Sequence, residues 1–284
     1  TSLRGAVTPW FRRPAYAYTG GKTFDPALPT IVFLHGGEHD HSVWILQSRY
    51  MAHHGYSVLA LDLPGHMRSA GPALTTIESM AEHVAGALKT CGAERLIVVG
   101  HSMGSLIALE VGALLRDKVH GVVLIATASP MQVSDVLLDA TRNSTAQAMD
   151  MINVWSHSAS IDAFDRKPSS PGPGFSNVWS NLRLMQRVAQ RNGADVLHAD
   201  FAACNAYRRG AQAAAELTCP ALFILAVSDL MTPARAAQPL IDACRDATVV
   251  TLAGAGHSLM AENPDGVREA LRHFAARAFG RAAA

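Results

Sequence analysis

No stretch of this chain carries enough charge of one sign, or stays apolar for long enough, to direct it to a nucleic acid or a membrane. Charged residues make up 17% of it and nearly cancel, 24 Lys and Arg against 23 Asp and Glu, for a formal net charge of +1. Without a basic face there is no electrostatic footprint for nucleic acid. No apolar run approaches the ~18 residues that would cross a bilayer, and Thr1 to Arg13 lack the charged-then-apolar order of a secretion leader. Cysteine is scarce too. Cys91, Cys204, Cys219 and Cys244 are the four present; they lie far apart, in no metal-ligand spacing, and are expected as reduced thiols of a cytoplasmic protein. What the chain does have is apolar residues, 49% of the total, enough for a well-buried core.

Those residues are patterned. Short apolar runs at Ile31–Leu34, Ser57–Leu61, Leu96–Val99, Val119–Ile125, Ala221–Ala226 and Thr248–Leu252 read as buried strands, most bounded by Gly, Pro or Asp. Between them the spacing turns helical, as at Ile77, Met80, Val84 and Leu88, and again at Leu106, Leu109, Ala113 and Leu114. Strands alternating with helices predict an α/β fold: a mainly parallel central sheet covered by helices on both faces. The alternation stops after Ala126. From Pro130 to about Ala215 the pattern is helical, with a "KPSSPGPG" loop at Lys167–Gly174, and the strand signal returns at "CPALFILAVSD". The expected organisation is one core domain, residues 1–129 and 216–284, with a helical cap over 130–215 inserted in it.

The strongest chemical signal is Gly100-His101-Ser102-Met103-Gly104, a G-x-S-x-G motif with an apolar strand before it and a small-residue helix after it. Such a turn exposes a strained serine hydroxyl at the sheet's edge, and the helix start adds positive dipole where negative charge develops. A serine hydroxyl needs a histidine base, and that histidine needs an orienting carboxylate. His257 follows a strand-like run in a glycine-containing loop, whereas His273, the other histidine in the last part of the chain, belongs to a terminal helical pattern over Pro264–Phe279. Asp229 sits just past "ALFILAVS", at a strand's carboxyl end where open α/β sheets place their ligands. Asp242 and Asp246 read as solvated.

The motifs "FLHGG" (33–37), "LDLPGHMRS" (61–69), "GHSMGS" (100–105), "AVSDLMTP" (226–233) and "GAGHSLMAENP" (254–264) together resemble the α/β-hydrolase family over nearly the whole chain, in its order of nucleophile, acid and histidine. The resemblance implies Ser102 as nucleophile, His257 as base and Asp229 as acid. Backbone N–H groups of Met103 and Gly37 then form the oxyanion hole. It makes Asp62 a structural turn residue, and sets Met67 where relatives often carry a small residue. The implied activity is hydrolysis of a small carboxylic ester, thioester or lactone with no metal or organic cofactor. A carbon–carbon bond hydrolase, a perhydrolase, an aminopeptidase and a non-catalytic ligand receptor of the same fold stay open. A serine at 102 disfavours the dehalogenase and epoxide hydrolase branches, which use aspartate there. Candidate pocket residues are His35, His101, Trp155, Trp179 and Leu230, with Met149, Met151, Met185, Phe164 and Phe175 as further apolar groups of the cap.

His35-Gly36-Gly37-Glu38-His39 also spells H-x-x-E-H, the letters of an inverted zinc-peptidase site. That site needs a helix to align its histidines, and two glycines oppose one by about 1 kcal/mol each. The favoured reading makes His35 a buttress of the oxyanion loop. Glu38, His39, Asp40 and His41 become a solvated loop leading to a helix around Val43–His53, capped by Asp40 or Ser42.

Overall fold

Alternation along the strands builds the molecule. The computed structural model describes residues 15–157 and 173–280. Its strands are β1 (Tyr16–Tyr18), β2 (Thr30–Leu34), β3 (Ser57–Asp62), β4 (Leu96–His101), β5 (Val119–Ile125), β6 (Ala221–Ala226) and β7 (Ala247–Leu252). They form one sheet of order β1-β3-β2-β4-β5-β6-β7, parallel except for β1. The three-residue β1 is too short to give a sequence signal; it blunts the β3 edge antiparallel. The helices are α1 (Ile45–His53), α2 (Ile77–Cys91), α3 (Met103–Leu115), α4 (Asp135–Asn143), α5 (Thr145–Trp155), α6 (Pro173–Asn192), α7 (Asp195–Ala206), α8 (Gly210–Glu216), α9 (Gln238–Ala243), α10 (Leu259–Glu262) and α11 (Pro264–Ala278).

Successive strand side chains point to opposite faces, and the core divides accordingly. Val32, Leu34, Val98, Val122, Leu124, Phe223 and Leu225 pack with α2 and α3 on one face. Ile31, Phe33, Ile97, Val99, Val123, Ile125 and Ile224 pack with α1 and α11 on the other. The predicted helix stripe Ile77, Met80, Val84 and Leu88 is buried along α2, which Thr76 caps by accepting from Ser79 N–H. In α3 Leu114 departs from the predicted stripe: it is exposed, although nearly every other residue of that helix is buried.

Helices α4 to α8 lie between β5 and β6. Leu137, Ala148, Met149, Ile152, Met185 and Leu197 give them a small core of their own, with Trp155 and Met151 packed against it. Leu184, Val188 and Val196 dock this layer on Val43, Met67 and Ala73 of the sheet domain. Ala203 and Cys204 at the end of α7 and Ala213 and Ala214 of α8 belong to the main core, so α8 and the end of α7 are part of the sheet's own covering layer. Phe164, the side chain of Phe175 and loop residues 167–172 lie outside the described residues. Among the described residues no helix is long and apolar enough to cross a membrane, and all four cysteines are free.

Candidate active site

Ser102 stands between β4 and α3 with φ 52° and ψ −120°. Positive φ is strained for a residue with a Cβ, and its surroundings hold it there. Ser102 N–H donates to Ile125 O at 2.9 Å, while Ser102 O accepts from Ser105 N–H at 2.8 Å and from Ser105 Oγ at 2.5 Å. The two flanking glycines are packing requirements. A Cβ on Gly100 would overlap Gly104 O, and one on Gly104 would overlap the carbonyl oxygens of Leu34 and His35. The strand-to-helix turn therefore closes against the end of β2.

Asp229 follows β6 and is buried. Its Oδ1 accepts from the N–H groups of Met231 and Thr232, both at 2.8 Å; its Oδ2 accepts from Thr232 Oγ1 at 2.8 Å and from His257 Nδ1 at 2.9 Å. Burial pushes the Asp229 pKa up, but the adjacent His257 and these donors outweigh it and hold the carboxyl below its ordinary value. With Nδ1 donating to Asp229, the His257 ring keeps Nε2 as an acceptor. Its loop is pinned: His257 O accepts from His101 Nε2 at 2.8 Å, and Ser258 N–H donates to Ser156 O at 2.9 Å.

Ser102 and His257 open into one cavity of about 370 Å³, together with Gly36, Gly37, Met103, His101, Trp155 and Leu230. Helices α4, α5 and α7 contribute Leu137, Ile152, Phe201 and Cys204 to its wall, and the loops before α4 and after β6 add Met131, Val133 and Met231. Two expected pocket residues lie elsewhere. His35 is fully buried behind the loop: Nδ1–H donates to Gly36 O at 2.8 Å and Nε2 accepts from Leu63 N–H at 3.1 Å, so both ring nitrogens serve the backbone. Trp179 is half exposed in a neighbouring groove, under the Arg183 guanidinium.

The polar residues after Gly37 correct the sequence reading. They are not solvated: Glu38, His39 and Asp40 are buried because α6 and α7 cover them. Glu38 N–H donates to Asp200 Oδ2 at 2.8 Å, His39 Nε2 pairs with Asn181 Oδ1 at 2.9 Å, and Arg187 stands 3.8 Å from Asp40. Burial lowers the His39 pKa to about 4 and raises that of Glu38 to about 9, helped there by Asp200. The H-x-x-E-H letters occupy a turn rather than a helix. Asp40, His41 and Asp62 do gather their donor atoms within 4.8 Å. These atoms already have work: Asp40 caps the helix start through Ser42 N–H, and Asp62 accepts from His41 N–H, His41 Nδ1 and Arg68 N–H. Asp62, at the end of β3, thus braces the loops that follow β2 and β3.

Sequence reasoning passed over two residues here. Thr232 braces both Asp229 and His257, the latter at 3.2 Å; its signal was the Asp-x-x-Thr spacing, which suits side-chain-to-backbone bonding. Asp200 was legible as a carboxylate within the otherwise apolar stripe Val196, Leu197, Ala203 and Cys204 of α7.

Comparison with known proteins agrees with this architecture. The dihydrolipoyllysine-residue acetyltransferase component of the acetoin cleaving system of Cupriavidus necator is 37% identical over 127 residues, 44% of this chain and 31% of that protein. Protein ABHD8 of Bos taurus is 24% identical over 86% of this chain and 55% of its own length. The chain thus spans about half, or less, of these two relatives. Among solved structures, the enol-lactonase from Burkholderia xenovorans LB400 superposes with a TM-score of 0.77 at 22% identity, covering 92% of this chain and 96% of that one. The family model described as the alpha/beta hydrolase fold matches residues 29–264, and the chain belongs to the α/β-hydrolase fold family.

Proposed function

We propose that the chain is a serine hydrolase acting on a small, uncharged carboxylic ester or lactone. The observation that carries this reading is a strained Ser102 sharing a cavity with His257, whose far ring nitrogen is engaged by buried Asp229. Ser102 Oγ attacks the carbonyl carbon as His257 Nε2 takes its proton. Asp229 holds the tautomer and stabilises the imidazolium that forms. The N–H groups of Met103 and Gly37 receive the oxyanion, each such donor contributing about 3–4 kcal/mol to the transition state. Collapse expels the alcohol, protonated by His257, and water then releases the acyl group by the same route. No step calls for a metal or organic cofactor.

The wall chemistry supports the substrate class. Among the described residues lining the cavity there is no Asp, Glu, Lys or Arg, and Met, Leu, Ile, Val, Phe and Trp supply its large side chains beside uncharged polar ones such as Gln132, Ser134 and Ser156. An aminopeptidase substrate brings an ammonium group that wants a carboxylate partner, and this wall offers none. A volume of about 370 Å³ is at the small end for ligand sites. Helices α4, α5 and α7 act as the part of the cap that supplies this wall. The relative named as an enol-lactonase fits the reading, a lactone being a cyclic ester.

A fluorophosphonate probe should label Ser102, and Ser102→Ala should lose ester turnover by at least about 10⁴-fold with an unchanged melting temperature. Failure to label the wild-type protein, or turnover surviving in S102A, would overturn the proposal.

A further inference from the structure

One side chain of the cap reaches the loop that the hydrolase reading uses for the oxyanion. Asp200, on α7, is fully buried. Its Oδ2 accepts from Glu38 N–H at 2.8 Å and from His66 Nε2, also at 2.8 Å. Glu38 is the residue after Gly37, so that bond orients the Gly37–Glu38 peptide. The contact is close as well as polar. A Cβ on Gly37 would lie 3.0 Å from the Phe201 ring and 3.4 Å from Asp200 Cβ, so α7 presses directly on the glycine. The turn has a strained element to be held, since Glu38 has φ 50° and a Cβ. Its side chain does not hold it: both carboxyl oxygens are buried with no hydrogen-bond partner. Across the turn itself His39 N–H donates to Gly36 O, long at 3.3 Å, and His35 Nδ1–H braces that same oxygen, one residue before Gly37, at 2.8 Å.

We propose that Asp200 is a positioning residue for the oxyanion loop, so that the Gly37 donor is aimed only while α7 of the cap is docked on the sheet domain. His66 anchors the carboxylate from the other side. Its two ring nitrogens face Asp200 Oδ2 and Pro64 O, and the β3–α2 loop that carries it belongs to the sheet domain. The Asp200 carboxylate therefore joins three segments, the cap helix, the loop after β2 and the loop after β3. Binding a substrate against Phe201 and Cys204, on the same helix, would reinforce the same contact.

The inference rests on the hydrolase reading, and its test separates the two. Steady-state turnover of a p-nitrophenyl ester would be measured with the full chain and with Asp200→Ala, Asp200→Leu and Asp200→Asn. Affinity for an alkyl trifluoromethyl ketone, which adds to the serine and leaves an oxyanion in the hole, would be measured on the same proteins. Losing an oxyanion donor outright lowers kcat by about 10²- to 10³-fold, so misaiming one should lower it by about 10- to 100-fold. Asp200→Ala should show that fall in kcat with KM changed less than about threefold, and should lose ketone affinity by a matching factor. Asp200→Leu fills the space without an acceptor and should behave likewise if the alanine variant does not fold. Asp200→Asn, with Oδ1 in place of Oδ2, keeps both hydrogen bonds and should recover kcat to within about fivefold of wild type. Wild-type kcat in the variant without an acceptor, a loss confined to KM, or an Asn variant no better than Leu would each overturn the proposal. A wild-type protein with neither turnover nor ketone binding would instead sink the hydrolase reading.

Discussion

Among the described residues two histidine–aspartate pairs have both partners buried, at nearly the same length: His257–Asp229 at 2.9 Å and His66–Asp200 at 2.8 Å. They differ in what the other ring nitrogen meets. For His257 it is left to the cavity; for His66 it is Pro64 O at 3.1 Å. Burial works against the charge on His66, yet Asp200 and the second acceptor outweigh it and hold its pKa above the ordinary value. An imidazole with an acceptor at each nitrogen has both nitrogens occupied and offers neither to a substrate. One with a carboxylate at Nδ1 and an open Nε2 can take a proton and return it. The carboxylate–imidazole contact alone therefore does not mark a base.

Substituting each histidine sharpens that contrast most. His257→Ala should lower kcat for an ester by about 10⁴-fold or more at a smaller cost in stability, because Asp229 keeps three donors from Met231 and Thr232. His66→Ala should do the reverse, lowering stability by about 3–5 kcal/mol because it strands a buried carboxylate, with kcat within about tenfold. Denaturant melts and initial rates on both variants would check this; a large activity loss in a fully stable H66A would erase the distinction.

Glu38, beside the second pair, gives the next effect. Its folded pKa of about 9 lies above the ordinary 4.5, so between those values the native state holds a proton that the unfolded chain has released. Stability therefore falls as pH rises through that window, by up to about 1.4 kcal/mol per unit. Glu38→Gln carries no proton to release and should flatten this slope, leaving the protein more stable than wild type near pH 8. Melting temperatures from pH 5 to 9 would show it; parallel slopes for the two proteins would mean that Glu38 is already ionised in the fold.

The smallest effect separates the two tryptophans of the helical insertion. Trp155 lines the cavity and Trp179 the groove beside it. Trp155→Ala should change kcat/KM for a medium-chain ester by about 10-fold, an amount of apolar contact typical of one large side chain. Trp179→Ala should leave it within about twofold. Equal responses would merge the cavity and the groove into one substrate path.

Much of this was legible in the chain because it is local. An apolar run of four to seven residues can only be a buried strand or a buried helix turn, and Gly, Pro and Asp at its ends decide between them. The nucleophile turn is equally local, since Gly100 and Gly104 are excluded from bearing a Cβ by atoms a few residues away, or by the strand next door. Asp229 and His257 could be named because each follows a strand whose carboxyl end lies on the ligand edge of such sheets. Burial across long sequence distances was not legible. The loop after Gly37 is polar in letters, and nothing near it in sequence says that helices some 140 to 160 residues later cover it, as the His39–Asn181 and Glu38–Asp200 bonds show. His35 and Trp179 went astray for the same reason, one turned inward by Leu63 and the other left on an outer groove.

The sequence by itself determined six of the seven strands, the helices on their faces, the helical stretch between β5 and β6, and which serine, histidine and aspartate follow strands. These follow from periodicity, glycine sterics and chain order, all short-range or one-dimensional. Only the tertiary structure decided which side chains line the cavity, which of two histidine–aspartate pairs turns a nitrogen to it, and that a carboxylate of α7 accepts from the N–H beside Gly37. Those depend on which distant surface excludes water from a polar group, and solvent exclusion is a property of the packed chain rather than of any segment of it.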